Sequence, residues 1–161
     1  MQEKNKKKKI VSKSYVSKSI LDTEKIAKNI AKNAKAKDIY CLKGDLGVGK
    51  TVIAKAIGNF FNVNDNISSP TFTILKSYDL NNKKIKKIHH FDLYRIKNIQ
   101  ELENIGFSDY LYEDDSIVLI EWPEVACDLL PNHYKTITIR KLMNDNSDFV
   151  EDERLITYEE K

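Results

Sequence analysis

One stretch, residues 44–51, constrains the fold of this chain more than any other feature. It reads GDLGVGKT and matches G-x-x-x-x-G-K-[ST], the pattern of a loop that binds phosphate groups, at every fixed position. Glycines let the backbone N–H groups of such a loop point at phosphate oxygens, and a helix that follows adds the positive end of its dipole. Lys50 would reach the β- and γ-phosphates of a nucleotide, and the Thr51 hydroxyl would bind Mg²⁺.

The residues on either side of this loop have the order that a phosphate site requires, which is strand, loop, helix. Residues 38–42 form a short strand-like run, and apolar residues recur at helical spacing from Val52 to Phe60. The predicted nucleotide-binding residues of the loop itself are Asp45, Leu46, Gly47, Val48, Gly49, Lys50 and Thr51.

Further patterns predict the remaining elements. Before the loop we expect a strand over 10–16, a helix capped by Asp22 or Thr23 and running to about Lys35, and a strand over 37–42. After it we expect strands 71–78 and 85–94 joined by a turn at 81–83, short helices at 99–105 and 108–112, a strand over 116–121, and strands 134–140 and 154–158 around an acidic loop at 144–153. The strand over 116–121 is apolar throughout until its final carboxylate, which is typical of a parallel strand buried on both faces. The predicted fold class is therefore α/β, a P-loop NTPase with a mainly parallel sheet flanked by helices and an antiparallel β-hairpin contribution.

Length and composition favour one domain. The 161 residues, 41% of them hydrophobic, suffice for one core over residues 10–161, and a lysine-rich tail over 1–9 is predicted to be disordered. No apolar run is long enough for a signal peptide or a membrane span, so we expect a cytoplasmic protein without membrane contact.

Cys41 and Cys127 stand far apart, which fits a reducing compartment rather than a structural zinc site. The adjacent His89 and His90 would point to opposite faces of a strand and are interpreted as packing or surface residues.

Nucleotide hydrolysis needs a carboxylate near Mg²⁺, a group that positions water, and positive charge for the transition state. Glu121 ends the buried strand at the edge where open parallel sheets bind ligands, so we assign it to the catalytic centre. Asp92 lies between apolar neighbours, where a carboxylate is costly to bury unless it is paired or linked to a metal. It would bind Mg²⁺ directly or through water, or instead form a salt bridge with Arg95 or a lysine.

Three more residues have open roles at this stage. Thr71 follows Pro70 and is either a second hydroxyl near the metal, in a loop that senses the γ-phosphate, or the start of an ordinary strand. Trp122 either covers the nucleotide site or belongs to the core. Arg95 would contact phosphate or an acidic group of a partner.

Five segments occur together in an order that resembles the TsaE (YjeE) family. They are GDLGVGKT at 44–51, SPTFT at 69–73, HFDLYR at 90–95, ELENIGF at 101–107 and EWPE at 121–124. The resemblance covers residues 20–140. The lysine-rich N-terminus and the acidic stretch near Asn144 depart from the family pattern.

The resemblance implies a bacterial P-loop ATPase that is required for threonylcarbamoyl modification of the adenosine beside the anticodon in tRNA. It implies ATP and Mg²⁺ as cofactors, TsaB and TsaD as partner proteins, and contact with tRNA through that complex. It further implies that Thr51, Thr71, Asp92 and Glu121 surround Mg²⁺, with Trp122 close to the nucleotide. Hydrolysis would be weak in the isolated chain and stronger on the partner complex.

Other functions remain open from the sequence. A small P-loop kinase shares the loop, but such a kinase usually needs several arginines in a lid and the chain has three in all, Arg95, Arg140 and Arg154. A nucleotide-gated binding module without essential hydrolysis has the same motifs. A GTPase is disfavoured because the chain has no Asn-Lys-x-Asp segment, and direct tRNA binding by the basic tail is a further possibility.

Overall fold

The computed structural model describes residues 11–63, 67–143 and 149–160. The strands are β1 (Val11–Ser17), β2 (Ile39–Lys43), β3 (Leu75–Asp79), β4 (Lys87–Asp92), β5 (Ser116–Glu121), β6 (Lys135–Met143) and β7 (Phe149–Glu160). The helices are α1 (Ile20–Ala31), α2 (Lys50–Phe60), α3 (Ile99–Asn104) and α4 (Phe107–Leu111), with a 3₁₀ turn at Pro123–Ala126.

The strands form one seven-stranded sheet in the order β1-β7-β6-β2-β5-β4-β3. Strands β6, β2, β5 and β4 are parallel to one another at the centre. Antiparallel pairs complete both margins, with β3 on β4 at one edge and β7 and β1 at the other. The predicted α/β class is thus confirmed, with its parallel centre and its hairpin.

Helices cover both faces of the sheet because its central strands are apolar on both sides. Tyr40 and Leu42 of β2 pack in the same cluster as residues of α1 and α2. The alternate residues Ile39 and Cys41 pack on the other face with residues of α3 and α4. Because side chains alternate between the two faces, helices cover the central strands on both sides. The ends of the strands and the loops that follow them are the open positions for a ligand.

Two predicted boundaries of α1 are wrong. The helix is capped by Ser19, whose side chain accepts a hydrogen bond from the Asp22 N–H, and not by Asp22 or Thr23. Asp22 lies in the first turn, where a carboxylate interacts favourably with the helix dipole. The helix ends at Ala31 rather than near Lys35.

The predicted strand over 71–78 begins four residues later, at Leu75. Residues 71–74 form a turn in which the N–H groups of Thr73 and Ile74 both donate to the Pro70 carbonyl. Ile74 has a left-handed φ of 66°, which a regular strand does not allow. The hairpin partner, predicted over 85–94, is the shorter β4.

The acidic loop predicted over 144–153 is wrong in its second half, because β7 begins at Phe149 and pairs with β6 from there. Residues 144–148 and the predicted basic tail over 1–9 lie outside the described residues. Within the described ranges, the helices are all too short or too polar to cross a membrane.

Candidate active site

The phosphate-loop motif connects the end of β2 to the start of α2. Gly49 has a φ of 115° and caps α2, whose first residue is Lys50. Because only glycine adopts such a conformation without strain, this position turns the chain from the loop into the helix. Asp45, Leu46 and Gly47 are exposed along the loop, while the Val48 side chain is buried in the core.

Lys50 is folded back over its own loop. Its Nζ donates to the carbonyl oxygens of Gly44 at 2.7 Å and Asp45 at 2.8 Å, and lies 3.8 Å from the centre of the Trp122 ring. Burial lowers the pKa of Lys50 below that of a free lysine, and the nearby carboxylates, with Glu121 the strongest, oppose this shift. The ammonium therefore faces the same space as the acidic groups at the ends of the strands.

Glu121 is the last residue of β5 and is 3% exposed. Its Oε1 accepts from the Thr51 hydroxyl at 2.9 Å and contacts His90 Nε2 at 2.9 Å, and its Oε2 lies 3.1 Å from the same hydroxyl. A carboxylate from β5 and a hydroxyl from the first turn of α2 are thereby joined directly.

Asp92 ends β4, directly opposite Glu121 in the parallel register between the two strands. Its Oδ2 accepts from the hydroxyls of Ser69 and Thr71, the latter at 2.7 Å, and its Oδ1 accepts from the Tyr94 N–H at 3.1 Å. These hydroxyl and amide donors stabilise the buried carboxylate, and within the described residues Asp92 forms no salt bridge with Arg95 or a lysine, which was one of the two predicted roles. The Arg95 guanidinium instead lies 4.5 Å from the centre of the exposed Phe72 ring.

Trp122 packs against the core and also lines the space around Lys50. The residue is half-buried, with a left-handed φ of 58°, and packs against the cluster on the α3 and α4 face. Its ring also faces Lys50 and lies 5.0 Å from the Tyr94 ring. Trp122 thus forms the wall between the core and the acidic groups.

These side chains line one cleft of about 420 Å³ at the carboxyl ends of β4 and β5. The sequence-predicted residues that line it are Leu46, Gly47, Gly49, Lys50, Thr51, Thr71, Asp92, Glu121 and Trp122. Asp45 instead lines a neighbouring groove beside β6, and Val48 does not line the cleft.

Three residues of the site were missed by the sequence analysis as site residues. Ser69 and Tyr94 line the cleft, and His90 is fully buried against Glu121. A signal for His90 was present, because residues two apart on a strand share a face and His90 precedes Asp92 by two. His89 points to the opposite face as predicted, and both histidines are buried and hydrogen-bonded, so of the two interpretations the packing role is correct and the surface role is wrong.

The arrangement suits a nucleotide with a hard divalent cation. Two carboxylates on adjacent strands and the hydroxyls of Thr51 and Thr71 supply oxygen ligands of the kind that Mg²⁺ prefers. Within the described ranges, no group of three or more His, Cys, Asp or Glu is placed to hold a metal ion. Proteins commonly hold Mg²⁺ through one or two carboxylates together with the phosphates of a substrate.

Comparison with known proteins gives a consistent result. The family model described as threonylcarbamoyl adenosine biosynthesis protein TsaE matches residues 17–149. A relative from Rickettsia felis named tRNA threonylcarbamoyladenosine biosynthesis protein TsaE is 42% identical over 110 residues, which are 68% of this chain and 61% of that protein. A Bacillus subtilis protein of the same name is 34% identical over 124 residues, covering 77% of this chain and 75% of the relative. The match to the Rickettsia felis protein thus spans about six tenths of its length.

A solved structure extends the similarity to the fold. The crystal structure of Bacillus subtilis YdiB superposes with a TM-score of 0.71 at 27% identity, and the alignment covers 95% of this chain and 88% of that chain. The similarity in fold therefore extends over nearly the whole chain and is not confined to the phosphate loop.

Proposed function

This chain belongs to the TsaE family of threonylcarbamoyl adenosine biosynthesis proteins, and we propose that it binds and hydrolyses ATP with Mg²⁺ during threonylcarbamoyl modification of tRNA. The modified base is the adenosine next to the anticodon. The chain acts together with TsaB and TsaD, and it meets tRNA through that complex.

A single observation carries the proposal of nucleotide hydrolysis. The phosphate loop, the first hydroxyl of α2 and the two carboxylates that end β4 and β5 all line the same cleft. A phosphate loop alone would support binding only. The adjacent Glu121 and Asp92 add the acidic groups that a hydrolytic reaction requires.

Five residues of the cleft have a direct role in this proposal. Lys50 would leave the loop carbonyls and bind the β- and γ-phosphates, which replace those carbonyls as acceptors. Thr51, Thr71, Asp92 and Glu121 would hold Mg²⁺ directly or through its water shell, and Glu121 would also orient the attacking water. Mg²⁺, when bound, neutralises charge on the β- and γ-phosphate oxygens.

The charge of the cleft supports activation by a partner. Lys50 is the only basic side chain among the described residues that line it. Phosphoryl transfer is commonly accelerated by a second cation, often an arginine supplied in trans by another protein. We therefore expect slow hydrolysis by the isolated chain and faster hydrolysis on the TsaB–TsaD complex.

The test is steady-state ATP hydrolysis by the purified chain, first alone and then with TsaB and TsaD from the same organism. We expect low turnover that rises on addition of the partners and depends on Mg²⁺. Lys50→Ala should abolish nucleotide binding, whereas Lys55→Ala, which removes an exposed lysine of the same helix, should leave binding and turnover unchanged. Glu121→Gln should bind ATP normally and lower turnover about 100-fold or more.

Three results would contradict the proposal. Turnover that does not respond to TsaB and TsaD would argue against these proteins as activating partners. Phosphorylation of a nucleoside or metabolite would favour a kinase. If Glu121→Gln lost turnover but kept full tRNA modification, ATP would serve as a gate for binding and its hydrolysis would be incidental.

A further inference from the structure

His90 lies behind the cleft and touches it through one contact. It occupies the interior of β4 with 0% of its surface exposed, between β3 and β5, where it pairs with Lys76 and Leu119 respectively. Its Nε2 lies 2.9 Å from Oε1 of Glu121, and both side chains are buried. We propose that His90 is a positioning residue that holds the Glu121 carboxylate in the orientation used for ATP hydrolysis, and this inference rests on the function proposed above.

The chemistry of the pair fixes which atom carries the hydrogen. A carboxylate oxygen can only accept a hydrogen bond, so Nε2 of His90 is the donor. Nδ1 of the same ring is buried and has no hydrogen-bond partner within the part of the chain that the structure describes. An unpaired ring nitrogen carries a free-energy cost, since buried polar atoms are nearly always paired. A purely apolar residue would avoid that cost, and so the histidine is better explained by what its other nitrogen does.

The other donor to Glu121, the Thr51 hydroxyl, cannot fix the orientation of the carboxylate in the same way. Thr51 also donates to Oε1, at 2.9 Å, but its hydroxyl is a proposed ligand of Mg²⁺. Once that hydroxyl binds a metal ion, its orientation follows the metal rather than Glu121. His90 has no such competing role, because the Nε2 atom is enclosed by the core and directed at the carboxylate.

Backbone geometry makes the contact rigid. Glu121 and Asp92 face each other at the ends of β5 and β4, and His90 lies two residues before Asp92 on the same face of β4. A side chain in the middle of a paired central strand has little freedom to move, whereas Glu121 stands at the strand end next to the cleft. The strand thus supplies a fixed donor to a carboxylate that must not rotate, and outer contacts of this kind affect activity about 10- to 100-fold.

The neighbouring histidine provides a matched control. His89 is also buried, at 2% exposure, but it faces the other side of the sheet. There it contacts the Ser77 hydroxyl at 2.7 Å and Glu113 at 2.5 Å, and its ring packs on Tyr110. Substitution of His89 disturbs a buried histidine of the same strand without touching Glu121.

The experiment compares His90→Leu, His90→Gln and His89→Leu in the full chain assembled with TsaB and TsaD. Leucine removes the donor, and glutamine keeps an N–H donor of similar reach. We expect His90→Leu to lower kcat about 10- to 100-fold with less than a threefold change in the dissociation constant for Mg-ATP. His90→Gln should recover most of that loss, and His89→Leu should leave kcat within about twofold. Nucleotide binding is measured on each variant without its partners, through the fluorescence of Trp122, the one tryptophan of the chain.

Several outcomes overturn the inference. They are a folded His90→Leu protein with unchanged kcat, an equal loss in His90→Gln, or an equal loss in His89→Leu. Wild-type protein that hydrolyses no ATP with its partners would instead contradict the proposed function, and this inference would fall with it.

A spectroscopic measurement applies even if a His90 variant does not fold. The ¹⁵N resonances of the His90 ring are compared between the wild type and Glu121→Gln. The hydrogen bond predicts a protonated Nε2 whose resonance shifts when the carboxylate becomes an amide. An unchanged resonance would show that the ring does not bind Glu121.

Discussion

At the scale of single residues, two glycines of the phosphate loop are constrained for different reasons. Gly44 has a φ of 141°, and a Cβ atom there would collide with the backbone carbonyl of Ile139 in β6. Gly47 also has a positive φ, of 74°, but nothing lies within 4 Å of the position of its Cβ. The first glycine is required by packing and conformation together, and the second by conformation alone.

This difference predicts unequal costs for the two alanine substitutions. Gly47→Ala should lower the free energy of unfolding by about 1 kcal/mol, from the left-handed conformation of an L-residue. Gly44→Ala should cost about 1–3 kcal/mol more, because the loop or β6 has to move away from the new methyl group. Urea denaturation of the two variants measures the difference. Equal costs would show that the approach of Gly44 to β6 does not constrain the loop.

At the scale of elements, the segment between α2 and β3 illustrates how a loop is tied to the site. Its hydroxyls, from Ser69 and Thr71, both donate to Oδ2 of Asp92 on β4. The same segment is closed by N–H groups of Thr73 and Ile74 on the Pro70 carbonyl. The position of Thr71 beside the cleft thus depends on a short turn and on one distant carboxylate.

We therefore predict that Ser69→Ala loosens this turn. Loss of one of two hydroxyl donors to a charged acceptor should lower the free energy of unfolding by about 1–2 kcal/mol. Hydrogen exchange of the Thr73 and Ile74 amides should accelerate. The control is Ser68→Ala, because Ser68 is the exposed neighbour and its hydroxyl accepts from Lys76 rather than donating to Asp92. Equal exchange rates in the two variants would contradict the role of Ser69.

The same segment shows where sequence patterns stop predicting structure. Alternation over 71–78 indicates a strand, and the pattern is correct from Leu75 onward. The first part folds into a turn because its hydroxyls bind a carboxylate about twenty residues further along the chain, a contact that no local pattern contains. The predicted start of α1 was wrong for a related reason. Ser, Asp and Thr are all good N-cap residues, and it is Ser19 that has the extended backbone conformation of an N-cap.

The phosphate loop and the strand ending at Glu121 were predictable because their signals are local. A fixed glycine spacing and an uninterrupted apolar run specify strand, loop and helix without reference to the rest of the chain. The contact between His90 and Glu121 depends on which strands are neighbours and on their register. The sequence placed Glu121 at the edge of the sheet where ligands bind, and the family resemblance implied that Asp92 lies beside the same Mg²⁺. The spacing of His90 and Asp92 indicates a shared face of the strand, but the contact of His90 with Glu121 could not be predicted from it.

At the scale of the whole molecule, the cleft connects parts of the chain that are far apart in sequence. The loop before α2, the turn before β3 and the ends of β4 and β5 all contribute lining residues. A ligand that bridges these parts would bind the folded chain and not the unfolded chain. Its binding free energy would then add to the stability of the entire sheet.

We accordingly predict that a non-hydrolysable ATP analogue with Mg²⁺ raises the melting temperature of the full chain. At a free concentration 100 times the dissociation constant, the stabilisation is about 2.7 kcal/mol, which corresponds to about 5–10 °C for a chain of this size. Differential scanning calorimetry measures the shift, with the analogue plus a chelator and the Lys50→Ala variant as controls. Both controls should lose most of the shift, because Mg²⁺ and Lys50 each neutralise phosphate charge that would otherwise face Glu121 and Asp92. An equal shift in Lys50→Ala would place the nucleotide outside this cleft.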